Sequence, residues 1–521
     1  LHDIEPLLLA LIVAVAGLSV LARTVGVPYP ILLVLGGLVL GFVPGMPAVE
    51  LPPELVLVAF LPPLLYWSGF FSSPRDLRAD TRAISAAAIG LVLATTVAVA
   101  VAAHTVIDGM DWAVAFALGA IVSPTDPLAA TAIGRRLGVP RRVITLLEGE
   151  SLVNDATALV AYRVAVAAAV SGSFVAWQAG LRFVIGAAGG LAVGLAVGWL
   201  AAEVRRRLDD PVVEIVVSVA TGYAAYLPAE QLGVSGVLAA VTAGLYLGWR
   251  APELASAATR LLGFSFWEVM VYLANAVLFI LVGLQLHPIL SSLGGTAVAV
   301  LVGEALVVSA VVIGVRLGWN FTLPYLVRLL DRRPGQVMRR LGARERLVTG
   351  WSGMRGAVSL AAALALPEDF PMRNLILFLT FAVILATLVV QGLTLPVLIR
   401  WLRVSGDGGE EKEEVRARLA AAQAALDRLA ELSGADWTRD DTVERLQGLF
   451  EFRRRRLKAR AGKIEDDGTE DRSLAYQRLV RELLEAQRQA IVRLRNQGDI
   501  SSDVMHRIER ELDLEDTRLE I

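Results

Sequence analysis

Thirteen apolar stretches, bounded roughly at residues 5–23, 28–45, 53–71, 82–103, 112–134, 143–170, 178–203, 211–228, 233–249, 262–286, 296–320, 347–367 and 374–401, follow one another with short polar breaks. A hydrocarbon layer about 30 Å thick takes about 17–25 residues of helix at roughly 1.5 Å each, so each stretch predicts a membrane-spanning helix. The third, interrupted by Pro62-Pro63, is the least regular. The first follows Leu1-His-Asp-Ile-Glu5, which lacks the basic region that leads a cleavable signal, so it too reads as a span.

The polar connections alternate in charge. Arg75, Arg78 and Arg82, then Arg135, Arg136, Arg141 and Arg142, then Arg205 to Arg207, then Arg250 and Arg260, then a dense group from Arg328 to Arg346 occupy every second connection. The intervening loops near 46–52, 104–111, 171–177, 229–232, 287–295 and 368–373 hold one basic residue among them, Arg373. The positive-inside rule then predicts an outside N-terminus and a cytoplasmic C-terminus.

After Arg403 the pattern changes. Residues 1–403 form the predicted membrane region, 404–409 a glycine-rich hinge, and 410–521 a soluble tail rich in Glu, Arg, Ala and Leu with helical periodicity. Three or four helices are expected there, the last starting at an N-cap on Ser501 or Ser502 after the Asn496-Gln-Gly498 stop. The run Arg453 to Arg456 fits a solvated helix face paired with nearby acids better than a lipid contact or a nucleic-acid surface, since acids are as plentiful around it.

Composition agrees with the pattern: 55% of the 521 residues are hydrophobic and only 19% charged, with a mean hydropathy of +0.59. The chain has no cysteine, which excludes disulfides, thiolate metal sites and cysteine nucleophiles. Its four histidines (His2, His104, His287 and His506) are too scattered for a metal cluster, and no bound cofactor is expected.

Polar residues inside the spans carry the candidate chemistry, because ionisable groups at membrane depth are costly and mark function by default. In Glu148-Gly-Glu-Ser-Leu-Val-Asn-Asp155 the side chains of Glu150, Ser151, Asn154 and Asp155 share one helix face. Asp155 lies thirteen residues past Arg142, about 20 Å along a helix and hence near the bilayer centre. In the fifth span Pro124 and Pro127 lack N–H donors and disfavour helix at the preceding residue, which predicts a break around Thr125 and Asp126. Asp126 would then sit at the positive end of the following half-helix. In the twelfth, Gly350-Trp-Ser-Gly-Met-Arg-Gly356 surrounds Arg355 with glycines, and Glu150 is its expected partner in a structural ion pair.

Spans five and twelve run oppositely and stand seven apart, as in two inverted six-helix repeats joined by one linking helix. The fold class expected is thus an all-α polytopic membrane protein with crossed discontinuous helices and a helical tail. The linking helix would be span seven, where Gly186, Gly190, Gly194 and Gly198 recur every four residues and allow close packing within the protomer or, alternatively, between protomers.

Carboxylates, the Thr125 and Ser151 hydroxyls, the Asn154 amide and freed carbonyls are hard oxygen ligands suited to a small hard cation. A cation and a proton competing for the same oxygens make an exchanger if only the occupied site crosses. A channel is the rival reading, although no repeated carbonyl-lined filter is present. A sensor with a vestigial core is the other, which the intact acidic motif opposes. Glu214, Glu268, Glu304, Arg163 and Arg182 read as structural or interfacial, and Thr157 and Ser359 as packing hydroxyls.

Thr125-Asp126-Pro127, Gly149 to Asp155 and Gly353-Met-Arg-Gly-Ala357 together resemble the sodium/proton exchangers of the NhaP and NHE type, the Asn-Asp branch of the cation/proton antiporters. The likeness covers about residues 5–403; the tail resembles bacterial members loosely. It implies thirteen helices in a dimerisation and a core domain, a homodimer in the cell membrane, elevator-like alternating access and a role in pH homeostasis. It also implies Asp155 as the carrier of Na+ and H+, with Asp126, Ser151 and Thr125 completing Na+ coordination, Asn154 helping, and electroneutral exchange. Potassium is the alternative cation.

Overall fold

The computed structural model describes residues 4–43, 55–172, 176–293, 297–330, 341–406, 409–461 and 468–519. The whole predicted loop near 46–52, and parts of the arginine group from Arg328 to Arg346 and of the 404–409 hinge, lie outside these residues. Among the described residues every regular element is helical. They fall into two compact units, Leu1–Gly406 and Asp407–Ile521.

In the first unit seven helices are long and apolar enough to cross a membrane: Thr81–Val106, Arg141–Ser171, Gly180–Arg205, Pro211–Gln231, Ala257–Ser291, Val298–Tyr325 and Arg373–Leu402. Shorter apolar helices include Leu11–Val25, Tyr29–Gly41, Leu57–Phe71 and Trp112–Val122. Local chemistry explains many of the ends. Asp210 caps one helix by accepting from Val212 N at 2.8 Å, and Ser235 and Ser256 cap the next two by accepting from Leu238 N and Thr259 N. The irregularity expected at Pro62-Pro63 is resolved by placing both prolines in the first turn of Leu61–Phe71, just after a π-helical turn over Leu55–Phe60. The helix runs on from that π-helical turn, so the prolines' missing N–H groups leave carbonyls free, and Ala59 O accepts instead from Tyr223 Oη at 2.7 Å.

Packing relies on close backbone approach. The glycine ridge of the Ala176–Arg205 helix lies against Gly236–Leu254 within the chain: a Cβ on Gly190 or Gly194 would fall 2.5 Å from the carbonyl oxygens of Ser235 or Ala239. Gly198 meets Ala243 and Tyr246 of the same helix, whereas Gly186 has open space beside it. In lipid, where apolar burial between helices gains little, such van der Waals contact is what holds helices together. A contiguous apolar core runs through Leu118, Ile121, Val143, Leu147, Phe279 and Phe381, and so joins Trp112–Val122, Arg141–Ser171, Ala257–Leu284 and Arg373–Leu385.

The second unit comprises the helices Gly409–Leu432, Asp440–Arg460, Thr469–Gln497 and Ser502–Leu519. Gly498 takes a left-handed conformation (φ 83°) that stops the third, and Ser501 Oγ accepts from Val504 N at the start of the fourth. Leu484, Ile491, Met505 and Leu512 form their apolar seam. At the rim Arg488 donates to Asp513 at 2.9 Å and Asp516 at 3.2 Å.

Candidate functional site

Two expected spans are each split into half-helices. Trp112–Val122 and Leu128–Arg136 flank a non-helical stretch over 123–127, and Ala343–Trp351 and Ala357–Leu364 flank another over 352–356. The first break follows from Pro124 and Pro127, as their missing donors and steric demands require. The second falls in the Gly353 to Gly356 segment, where glycine lowers the cost of leaving the helix.

The two breaks touch. Asp126 N donates to Met354 O at 2.8 Å, so the backbone groups freed by one break are partly satisfied by the other. The Asp126 carboxylate accepts from Leu128 N at 2.9 Å and thereby caps the half-helix that follows. It also lies so close to Gly356 that a Cβ there would stand 2.1 Å from Asp126 Oδ2. Gly356 is a glycine because Asp126 occupies the space of a side chain.

Arg355 sits at the carbonyl ends of these half-helices. Its Nε donates to Val122 O at 3.1 Å, its Nη1 donates to Gly353 O, and its backbone N donates to Thr387 Oγ1 at 3.1 Å. A guanidinium there satisfies orphan carbonyls and opposes the negative end of the helix dipole. The expected ion pair between Glu150 and Arg355 is therefore corrected. Glu150 is instead held in a two-pronged pair by Arg316, with Nη1 2.5 Å from Oε1 and Nη2 3.1 Å from Oε2. The break in the twelfth span creates carbonyls that engage Arg355, while Arg316 reaches the carboxylate from the Val298–Leu330 helix. Arg316 and Arg355 flank Gly353, whose added Cβ would meet both.

Glu150 and Asn154, one turn apart on Arg141–Ser171, brace the first break. Thr125 Oγ1 donates to Glu150 Oε1 at 2.8 Å, and Asn154 Nδ2 donates to Thr125 O at 2.9 Å and to Thr125 Oγ1 at 3.1 Å. Thr125 is thus engaged at both oxygens. Asp126 and Asp155 follow the two partners of that contact in sequence. Asp155 is 8% exposed. Ser151 is half-buried one turn before Asp155 and makes no hydrogen bond to these groups. Asn154 Oδ1 has no hydrogen-bond partner although Asn154 is fully buried. An acceptor left so, beside two carboxylates, fits a bound cation or protonated group better than an apolar neighbour.

Arg316 is the residue that sequence reasoning missed. It is 1% exposed, inside an apolar stretch, and by the rule for intramembrane charges it should have been named. It lies four residues from the predicted end of that stretch, where an arginine can also reach the interface.

Two broken helices in contact beside buried carboxylates, in a chain with helices apolar enough to cross a membrane, form the kind of arrangement found in secondary carriers for small ions. The profile of the transmembrane sodium/hydrogen exchanger family matches residues 8–401, and the chain belongs to this family of cation/proton antiporters. An uncharacterized Na(+)/H(+) exchanger of Mycobacterium tuberculosis is 38% identical over 98% of this chain and 95% of its own length. The sodium, potassium, lithium and rubidium/H(+) antiporter of Bacillus subtilis is 34% identical over 76% of this chain and 61% of its own. Among solved structures, the sodium proton antiporter MjNhaP1 of Methanocaldococcus jannaschii superposes with a TM-score of 0.60, at 20% identity, over 77% of this chain and 98% of that one. The fold is therefore that of an NhaP antiporter.

Proposed function

We propose that this protein exchanges Na+ for H+ one for one, with cation and proton competing for Asp155. The observation that carries this reading is the contact of the two helix breaks, Asp126 N to Met354 O, beside the helix of Asp155. Three acids (Glu150, Asp126 and Asp155) stand against two guanidinium groups (Arg316 and Arg355). The cluster thus carries one net negative charge when every group is ionised. One monovalent cation or one proton neutralises it, and a neutral cluster is the form that crosses a low-dielectric layer at least cost. Both loaded forms are then mobile and the empty form is held back, which couples the two fluxes without net charge movement.

In this reading Asp155 and Asp126 supply the charged ligands, Ser151 and the Thr125 region complete the Na+ shell, and Asn154 and Glu150 keep the broken helix in place. Thirteen membrane crossings in two inverted repeats, an outside N-terminus and a cytoplasmic tail that regulates transport accord with the arginine pattern. Elevator-type movement of the core in a homodimer of the cell membrane belongs to the same reading. Potassium is the second reading, favoured by the ion range in the name of the Bacillus subtilis relative. Proteoliposomes with an imposed pH gradient, given sodium, lithium or potassium with and without a voltage clamp, test all of this. Sodium-driven proton movement that is unchanged by the clamp is expected; cation current without proton movement refutes exchange.

Gly356→Ala is expected to cut exchange by about tenfold or more, because the new methyl group must displace the Asp126 carboxylate. Gly314→Ala is the control, since a Cβ there meets nothing within 4 Å. Equal rates for both variants would mean that the seating of Asp126 against Gly356 is unimportant.

A further inference from the structure

A second polar cluster lies away from the helix breaks, in a cleft lined by Tyr66, Trp67, Arg205, Glu214, Thr259 and Trp267. Arg205, at the end of the Ala176–Arg205 helix, is buried there with its side chain 5% exposed. Its Nη2 faces Glu214 Oε2 at 3.4 Å, while Nε and Nη1 have no hydrogen-bond partner. Glu214 is already served at its other oxygen by Thr259 Oγ1 at 2.9 Å. Tyr66, 1% exposed and lining the same cleft, also has a hydroxyl without a partner. Arg260 lines it as well, with its Nη1 donating to Ala255 O at 2.6 Å.

The unused capacity of this cleft is almost entirely donor capacity. Leaving buried donors unmet is costly, and most of all for a charged group. The complement is an anion rich in acceptor oxygens, for which arginine is the preferred partner. The wall is apolar and aromatic: Trp67 and Trp267 stack at 5.4 Å between centroids, and Tyr66 lies 5.4 Å from Trp267. Basic pockets between membrane helices with such walls suit a phosphorylated head group whose glycerol and chains lie along the rings. Nothing in the exchange reaction uses these groups.

We propose that this cleft binds a phosphate group through Arg205 and the Tyr66 hydroxyl. The anion is the head group of an anionic phospholipid or a free phosphate, and the two sources share the same contacts.

The test uses the full-length protein, purified in detergent and stripped of lipid. Thermal midpoints are titrated with phosphatidylglycerol, with inorganic phosphate, and with diacylglycerol, which has the chains but no phosphate. Phosphatidylglycerol is expected to raise the midpoint saturably, with apparent affinity about tenfold weaker in Arg205→Gln and about threefold weaker in Tyr66→Phe. Tyr66→Phe removes one unpartnered hydroxyl and keeps the ring packing, so it remains informative if Arg205→Gln fails to fold. A response to phosphatidylglycerol alone assigns the site to lipid, and an equal response to inorganic phosphate assigns it to a free anion. A diacylglycerol response as large as that to phosphatidylglycerol, identical titrations in wild type and Tyr66→Phe, or no response to either phosphate overturns the proposal.

Discussion

Asp155→Asn is expected to reduce sodium-dependent proton exchange to the level of empty liposomes while leaving the fold intact. The two side chains have nearly the same volume, and the Asp155 carboxylate makes no hydrogen bond to another described residue that the change would break. What is lost is the charge and the ability to take up a proton. With Asn at this position Glu150 and Asp126 balance Arg316 and Arg355, so the cluster is already neutral when empty. Nothing then holds back the unloaded carrier, and nothing couples its movement to either ion. The measurement is the sodium-triggered response of a pH dye trapped in proteoliposomes, alongside the thermal midpoint in detergent. The midpoint should shift by no more than about 2 °C, within the range of an inconsequential substitution in a large protein. Clear sodium-dependent proton flux in this variant would remove Asp155 as the carrier. Asp126→Asn makes a useful comparison, because an asparagine oxygen can still accept from Leu128 N, so it should lower transport with little change in stability.

What was legible in the sequence divides along a physical line. The break at Pro124 and Pro127 could be read directly, because proline acts on its own backbone and that of its neighbour whatever surrounds it. The break before Gly356 was legible for a similar reason, and the shared face of Glu150 and Asn154 follows from helical pitch alone. The cap at Ser501 and the stop at Gly498 are likewise local. Partnership across helices was not legible. Glu150 and Arg355 were the natural pair in one dimension, since each is an isolated charge in an apolar stretch. Three dimensions offered Arg355 the carbonyls of Val122 and Gly353 and brought Arg316 to Glu150. Thr125 shows the same limit: its residue type suggests a cation ligand, and nothing in one dimension reveals that it also links Glu150 and Asn154 to the broken helix.

That correction has a measurable consequence. Glu150→Gln and Arg316→Met are each expected to destabilise the protein severely, on the order of 3–5 kcal/mol, because each strands a buried charge. Glu150→Gln leaves two guanidinium groups beside Gly353 with no carboxylate between them and the lipid-depth interior. Arg316→Met leaves Glu150 with only the Thr125 hydroxyl as donor. The double variant strands neither partner of the pair and should cost less than the sum of the single changes by about 1–3 kcal/mol. Thermal unfolding in detergent of the four proteins in the cycle reads this directly. A second cycle, Glu150→Gln with Arg355→Met, should come much closer to additivity, since Arg355 is bound to carbonyl oxygens that remain when Glu150 is neutralised. If the coupling proves larger in the cycle with Arg355 than in the one with Arg316, the pairing read from the geometry is wrong and the simpler expectation from the sequence is right. If it follows Arg316, the guanidinium from the Val298–Leu330 helix is what pins Glu150, and through Thr125 it also fixes the helix break on which the Asp126 and Asp155 site depends.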